Sequence, residues 1–348
     1  MKTIAFYLPQ FHRIKENDEW WGEGFTEWTN VKASQPLFEG HRQPRTPKDN
    51  RYYDLTDVES IRWQSELAAK YGINGFCFYH YWFAGKMVLE KPVKVLRSHP
   101  DIDLEYCFSW ANEPWTRAWD GKNSKVLLAQ HYGGEEEWKE HYRYLSEYFS
   151  DPRYIKKDGK PVLLIYRTEN IPRCDEMIDF WNTLAKQDGY EGLFLLETLN
   201  SFQNKACLEN SGGVVQFEPM YSVKNNVKFM PNLKRLFMRL FRLVERLKYE
   251  DVWEGVLSVP SSIREKDVVP GVFVGWDNTP RKNRKGLVIT GGTPEKFEKY
   301  CLEKLKGNKS DYVFINAWNE WAEGAYLEPD EHYGEGYLKA YSNVLRHI

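Results

Sequence analysis

Short apolar runs recur along the chain, each followed by a polar, aromatic-rich segment and then by apolar residues at three- and four-residue spacing. Runs of four to eight apolar residues bounded by turn residues predict buried strands, and the wider spacing predicts amphipathic helices. Strands are expected at 4–8, 75–79, 105–109, 162–166, 193–196, 214–217, 271–274 and 312–315. Helices are expected at 59–71, 89–96, 135–149, 175–186, 294–305 and 336–346. Residues 17–53, with Gly, Pro and Trp throughout, read as one long ordered loop. Strands alternating with helices imply a parallel sheet. Eight such units predict the α/β class and a single-domain (β/α)8 TIM barrel over residues 1–348, with long loops at its C-terminal face. A doubly wound sheet is the competing architecture, but no Gly-x-Gly-x-x-Gly follows a strand and no Walker-type glycine loop is present.

The rhythm breaks between the sixth and seventh strands, at an insertion of about 222–269. Within it Leu233, Leu236, Phe237, Leu240, Val244 and Leu247 fall at helical spacing, among Lys234, Arg235, Arg239, Arg242, Arg246 and Lys248. This predicts a basic amphipathic helix over 233–248. Its apolar stripe is expected to pack on the barrel with the charges in water. The same pattern also suits weak association with an anionic membrane surface. There is no 18-residue apolar run, so no spanning helix is expected. The apolar run before Pro9 is too short for a secretory signal. A cytoplasmic protein is expected, with any membrane contact peripheral to the inner face.

Composition narrows the chemistry. The 48 basic and 50 acidic residues nearly cancel, which gives no reason to expect nucleic acid. The 14 Trp and 22 Tyr are the unusual feature, because each pairs a flat apolar face with a polar edge suited to sugar rings. The five Cys are odd in number and widely spaced, so reduced thiols are expected rather than disulfides or a zinc site. No metal and no cofactor is expected, and the oligomeric state is not readable.

Candidate chemistry gathers after the expected strands. Strand eight runs into Asn316-Ala-Trp-Asn-Glu-Trp-Ala-Glu-Gly324, where Glu320 and Glu323 each stand beside Trp. Three residues apart on a helical turn, such side chains share a face. Glu113 follows strand three and Asp277 strand seven; Glu197 and Glu218 follow strands five and six. Carboxylates among indoles, without metal ligands, point to glycosidic-bond chemistry, with one acid on the departing oxygen and a second group supporting the anomeric carbon. Structural readings stand beside these: Glu113 could cap a turn, and Asp277 could pair with Arg281. His12 and His80 are expected to donate hydrogen bonds to a ligand. Asp101-Ile-Asp103 precedes strand three, at the end of the barrel away from these residues.

Five blocks then carry a resemblance: Ala5–His12, Gly24–Trp28, Phe108–Glu113, Gly275–Arg281 and Ala317–Gly324. In this order they resemble the WbsX-like family, whose members are labelled glycosyltransferases or lipopolysaccharide-biosynthesis proteins and occur with O-antigen and capsule assembly. The family is more distantly similar to glycoside hydrolase family 99, the endo-α-mannosidases and endo-α-mannanases, which are (β/α)8 barrels. The shared piece is Asn-Glu-Trp-x-Glu-Gly, here Asn319–Gly324, with Ala322 where the hydrolases usually carry His. The resemblance implies that Glu320 deprotonates the sugar's own 2-hydroxyl to form a 1,2-anhydro sugar, and that Glu323 serves as acid and then base.

The expected substrate-binding set is Tyr7, His12, Trp28, Tyr79, His80, Trp82, Trp110, Asn112, Glu113, Trp115, Trp276, Asp277, Arg281, Asn319 and Trp321. The expected function is a retaining glycoside hydrolase or transglycosidase acting on an oligo- or polysaccharide of the O-antigen, capsule or mannan type. A nucleotide-sugar-dependent glycosyltransferase and a non-catalytic glycan-binding barrel are the alternatives.

Overall fold

The structure, a computed structural model, describes residues 1–116, 126–241 and 243–348. Its centre is a mainly parallel sheet of β1 (Lys2–Tyr7), β2 (Gly75–Phe83), β3 (Glu105–Trp110), β4 (Lys160–Ile165), β5 (Phe194–Leu199), β6 (Gly213–Gln216), β7 (Gly271–Phe273) and β8 (Tyr312–Asn316). Hydrogen-bonded ladders join them in the order β6–β5–β4–β3–β2–β1–β8–β7. Register pairs include Tyr7 with Phe78, Tyr79 with Ser109 and Ile4 with Phe314. Lys266–Val269 pairs with β6; the chain then passes Pro270 and enters β7, which pairs with β8. Every residue of β8 is buried, as expected for a parallel strand covered on both faces.

Helices follow the strands: α1 (Glu27–Ala33), α2 (Val58–Lys70), α3 (Lys91–Ser98), α4 (Glu135–Phe149), α5 (Cys174–Gln187), α6 (Met220–Asn225), α7 (Phe229–Leu240), α8 (Tyr249–Leu257), α9 (Pro294–Leu305) and α10 (Gly336–Leu345). Helix α9 shows how local sequence sets an element. The Thr293 hydroxyl accepts from Lys296 N, Pro294 occupies the first turn, and Phe297, Cys301 and Leu305 recur every four residues on the buried face. Inside the sheet, Phe6 packs on Tyr79, Phe217 and Phe314. All five cysteines are free thiols, and Cys207 alone is exposed.

Three expectations are corrected. Residues 17–53 are not one loop, since Lys15–Trp21 and α1 are helical. The helix expected over 233–248 stops at Leu240: Val244 is buried beyond it, and Glu245–Lys248, carrying Arg246, Leu247 and Lys248, is a strand paired with Leu287–Thr290. Strand pairing, with Leu247 turned inward, overrides the helical spacing. Leu233, Leu236, Phe237 and Leu240 are exposed rather than packed on the barrel. Arg242 lies outside the described residues. Among those described, no helix is long and apolar enough to cross a membrane.

Candidate active site

The turn after β8 is a tight hairpin. Asn319–Glu320 pairs antiparallel with Ala325–Tyr326 around a single 3-10 turn, Trp321–Glu323. Gly324 closes it at φ 61°, a left-handed conformation that favours glycine, and a Cβ there would lie 2.9 Å from the Arg45 guanidinium and displace it. Asn319 pins the hairpin to the end of β1: its Oδ1 accepts from Leu8 N at 2.8 Å and its Nδ2 donates to Leu8 O at 3.0 Å. Trp321 stacks on Tyr326 with ring centroids 3.8 Å apart and donates its indole N–H to Glu328 at 2.6 Å. These contacts hold the turn still while its two carboxylates reach into the sheet's C-terminal mouth.

One guanidinium gathers three carboxylates there. Arg281, from the loop after β7, donates from Nη2 to Glu320 at 3.0 Å, from Nη1 to Glu323 at 2.6 Å and from Nε to Glu27 at 2.8 Å. Glu27 is the first residue of α1. The Thr26 N–H donates to the Thr29 hydroxyl and the Glu27 N–H to Gln10 O, which aims this helix end at the turn. Trp28 packs on Trp321 and donates to Tyr53 O. Burial pushes the Glu320 carboxyl up to about 8, against the charge of Arg281 and with help from Glu323 and Glu27. Arg281 stays charged despite burial, because anionic partners, among the described residues Glu27, Glu323 and Glu320, outweigh the loss of water.

A cavity of about 610 Å³ opens above this centre, within the range of ligand pockets. Its lining joins the group of Arg281, Glu320 and Glu323 to the Glu113–Arg167 ion pair, with Tyr79, Tyr81, Tyr166 and Trp276 among the other side chains. Aromatic rings form its rim: Trp115 lies 5.2 Å from Tyr81 and 5.6 Å from Trp20 between centroids, and the exposed Phe202 lies under the Arg167 guanidinium. Arg167 donates to Glu113 at 2.9 Å, and both edges of the Asn112 amide bond its backbone.

Of the expected site residues, Tyr79, Glu113, Trp115, Trp276, Arg281, Glu320 and Glu323 line this cavity. The others are not among its lining residues, and the pleat explains Tyr7, His80, Trp82 and Trp110, because successive side chains on a strand alternate between faces. On β1 and at the residue just past it, Phe6 and Leu8 face inward while Tyr7 faces outward and donates to Gln64 on α2. On β2, Tyr79 and Tyr81 face the cavity, whereas His80 and Trp82 face α4. There His80 and His141 share a hydrogen bond at 2.8 Å, and burial pulls His80 down to about 3. Trp110 joins them outside the sheet, against His141 and Trp181. His12 is buried and donates from Nδ1 to Pro9 O. Asn112, Asn319, Trp28 and Trp321 support residues at the site from behind.

Asp277 does not pair with Arg281. Its Oδ2 accepts from Gln43 at 2.7 Å and His41 at 2.8 Å, and its Oδ1 accepts from the Thr279 hydroxyl at 2.6 Å, with Arg45 at 3.8 Å. It lines a separate 110 Å³ cavity. Burial would raise this carboxyl, but His41, Arg45 and Thr279 prevail and hold it down to about 2. Glu197 and Glu218 are consumed by local bonds, to Thr168, Gln203 and Ser211 and to Gln216 and Ser222. Sequence reasoning missed Glu27, Gln10, Tyr81, Tyr166, Arg167 and Phe202. A period-two reading from Tyr79 would have found Tyr81.

The family model described as Glycosyltransferase WbsX matches residues 3–341. Two strains of Xanthomonas campestris pv. campestris carry an uncharacterized protein WxcX that is 36% identical over 349 residues, 98% of this chain and 49% of theirs. The chain thus spans about half the length of these curated relatives. Among solved structures, one described as a glycoside hydrolase-like protein superposes with a TM-score of 0.65 at 14% identity, covering 99% of this chain and 93% of that one. The family 99 endo-alpha-mannosidase from Bacteroides thetaiotaomicron superposes at 0.54 and 15% identity, covering 99% and 96%. At such identities the likeness speaks for the fold.

Proposed function

The chain belongs to the WbsX glycosyltransferase family and so to the carbohydrate-active enzymes, and on that premise we propose that it is a retaining glycosidase or transglycosidase of bacterial polysaccharide. The architecture proposed with it is a (β/α)8 barrel whose seventh strand, broken at Pro270, bridges β6 and β8. The observation that carries the reading is the pair Glu320 and Glu323 joined through one guanidinium at the floor of a cavity rimmed with aromatic rings.

In the reaction, ionised Glu320 takes the proton of the sugar 2-hydroxyl as O2 attacks the anomeric carbon. The bond to the leaving oxygen breaks, and Glu323 donates a proton to that oxygen. Water or a sugar hydroxyl then opens the 1,2-anhydro ring, giving its proton to Glu323 while Glu320 returns a proton to O2. Two inversions give net retention. A carboxylate raised to about 8 is a stronger base toward a hydroxyl than an ordinary one, which suits Glu320 to this step.

A sugar-nucleotide transferase would bring a pyrophosphate among Glu113, Glu320 and Glu323, while Arg167 and Arg281 are already engaged by carboxylates. That charge pattern favours the glycosidase reading. The test incubates the protein with mannan-type, O-antigen and capsular polysaccharides and follows anomeric protons by NMR. Cleavage or transfer with retention, lost in both Glu320→Gln and Glu323→Gln, is expected. Full activity in both variants, or turnover only with a sugar nucleotide, would overturn the proposal.

A further inference from the structure

Helix α7 turns its apolar face to solvent. Phe229, Met230, Leu233, Leu236, Phe237 and Leu240 are all exposed, Phe229 by 75% and Leu240 by 72%, and Phe241 and Leu243 continue the patch. Only Met238 of this helix is buried. At about 100° per residue the six exposed side chains occupy one arc of roughly 120°, with Lys234 on one flank and Arg239 on the other. Between Val227 and Val244 the sequence holds Lys228, Lys234, Arg235, Arg239 and Arg242 and no acid at all. Among the described residues, acids from outside this stretch meet three of its cations: Glu245 meets Arg235 and Arg239, and Glu254 meets Lys228.

The patch is joined on both sides to elements that reach the cavity. Helix α7 follows α6, whose first residue, Met220, lines the cavity. It leads into Glu245–Lys248, which pairs with Leu287–Thr290, and that strand pairs in turn with Trp276–Asp277.

We propose that α7 is an interfacial helix that seats the protein on an anionic lipid surface. A large apolar face with Lys234 on one side and Arg239 on the other, in a segment that holds no acid of its own although Glu245 of the next strand meets Arg239, matches a bilayer whose headgroups are negative and whose acyl region begins just below them. A second copy of this chain fits less well: an isologous contact sets the same patch against itself, bringing Lys234 and Arg239 against further cations. The docking is independent of the reaction proposed for the cavity.

Co-sedimentation with vesicles tests it, using phosphatidylcholine alone and phosphatidylcholine mixed with phosphatidylglycerol. The protein is expected to bind the mixed vesicles at low salt, to bind the neutral ones far less and to dissociate as salt rises. Lys234→Gln and Arg239→Gln should each weaken binding about fivefold, and Leu236→Asp with Leu240→Asp should abolish it with the far-UV spectrum and thermal midpoint unchanged. No binding at low salt, equal binding to both vesicles, or a dimer in sedimentation equilibrium that the aspartate pair dissociates would overturn the proposal.

Discussion

Asp277 and Glu320 are both buried carboxylates near an arginine, supplied by neighbouring loops, yet their surroundings drive them to opposite protonation states. Asp277 is a single anion facing His41, Gln43, Thr279 and Arg45, and it is held down to about 2. Glu320 shares Arg281 with Glu323 and Glu27 and is pushed up to about 8. Burial is nearly equal at the two sites. The number of anions per cation makes the difference. A surplus of donors fixes a carboxylate as a structural anion, whereas a surplus of carboxylates leaves a proton that can move at neutral pH.

The largest expected effect separates the two centres by activity. Glu320→Gln removes a group assigned to proton transfer, and kcat should fall about a thousandfold. Asp277→Asn should keep kcat within tenfold while lowering stability. Comparable losses of kcat in steady-state assays of the two variants would erase the distinction.

Next in size is the guanidinium itself. Arg281→Met takes from Glu27, Glu320 and Glu323 the buried guanidinium they share, and should destabilise the fold by about 3–5 kcal/mol. Urea unfolding of this variant against Arg281→Lys checks the figure, since Lys restores the charge without the fork.

The third effect is a matter of sign. Asp277 is depressed from 3.8 to about 2, so its contribution, about 2 kcal/mol, is complete above the unfolded value and disappears as pH falls through the folded one. Glu320 is raised from 4.5 to about 8, so its contribution is complete below 4.5 and fades as pH rises through 8. Asp277→Asn should therefore be less stable than the native protein at neutral pH and converge with it in strong acid. Glu320→Gln should gain on the native protein as the solution becomes alkaline. Thermal midpoints across pH distinguish these slopes.

Much of this was legible in the sequence. The eight strands announced themselves as apolar runs, and the two Glu of the last turn stood out by their Trp neighbours. Which face a strand-end residue takes was also written there, in the alternation from Tyr79 to Tyr81, but His80 and Trp82 are just as aromatic and drew equal notice. Glu27 was hidden because its partner Arg281 lies 254 residues away and its helix carries no periodic signal. Asp277 and Arg281, four residues apart, invited a pairing that the loop's path prevents. The exposure of α7 had no signature either, since an apolar stripe reads the same whether it faces a core or the solvent.

The finest test of the comparison changes the stoichiometry by one anion. Glu27→Gln keeps a side-chain oxygen to accept from Arg281 Nε but removes one of the two neighbouring charges that raise Glu320. Glu320 should then ionise at lower pH. The acid limb of kcat/KM, which reports the free enzyme's essential base, should move down by less than about one unit, with modest change in the plateau rate. A purely structural role for Glu27 would lower the plateau and leave the limb where it was. Glu27→Asp, which keeps the charge, should restore the native limb even where it slows the reaction, because the proton on Glu320 responds to the number of anions around Arg281.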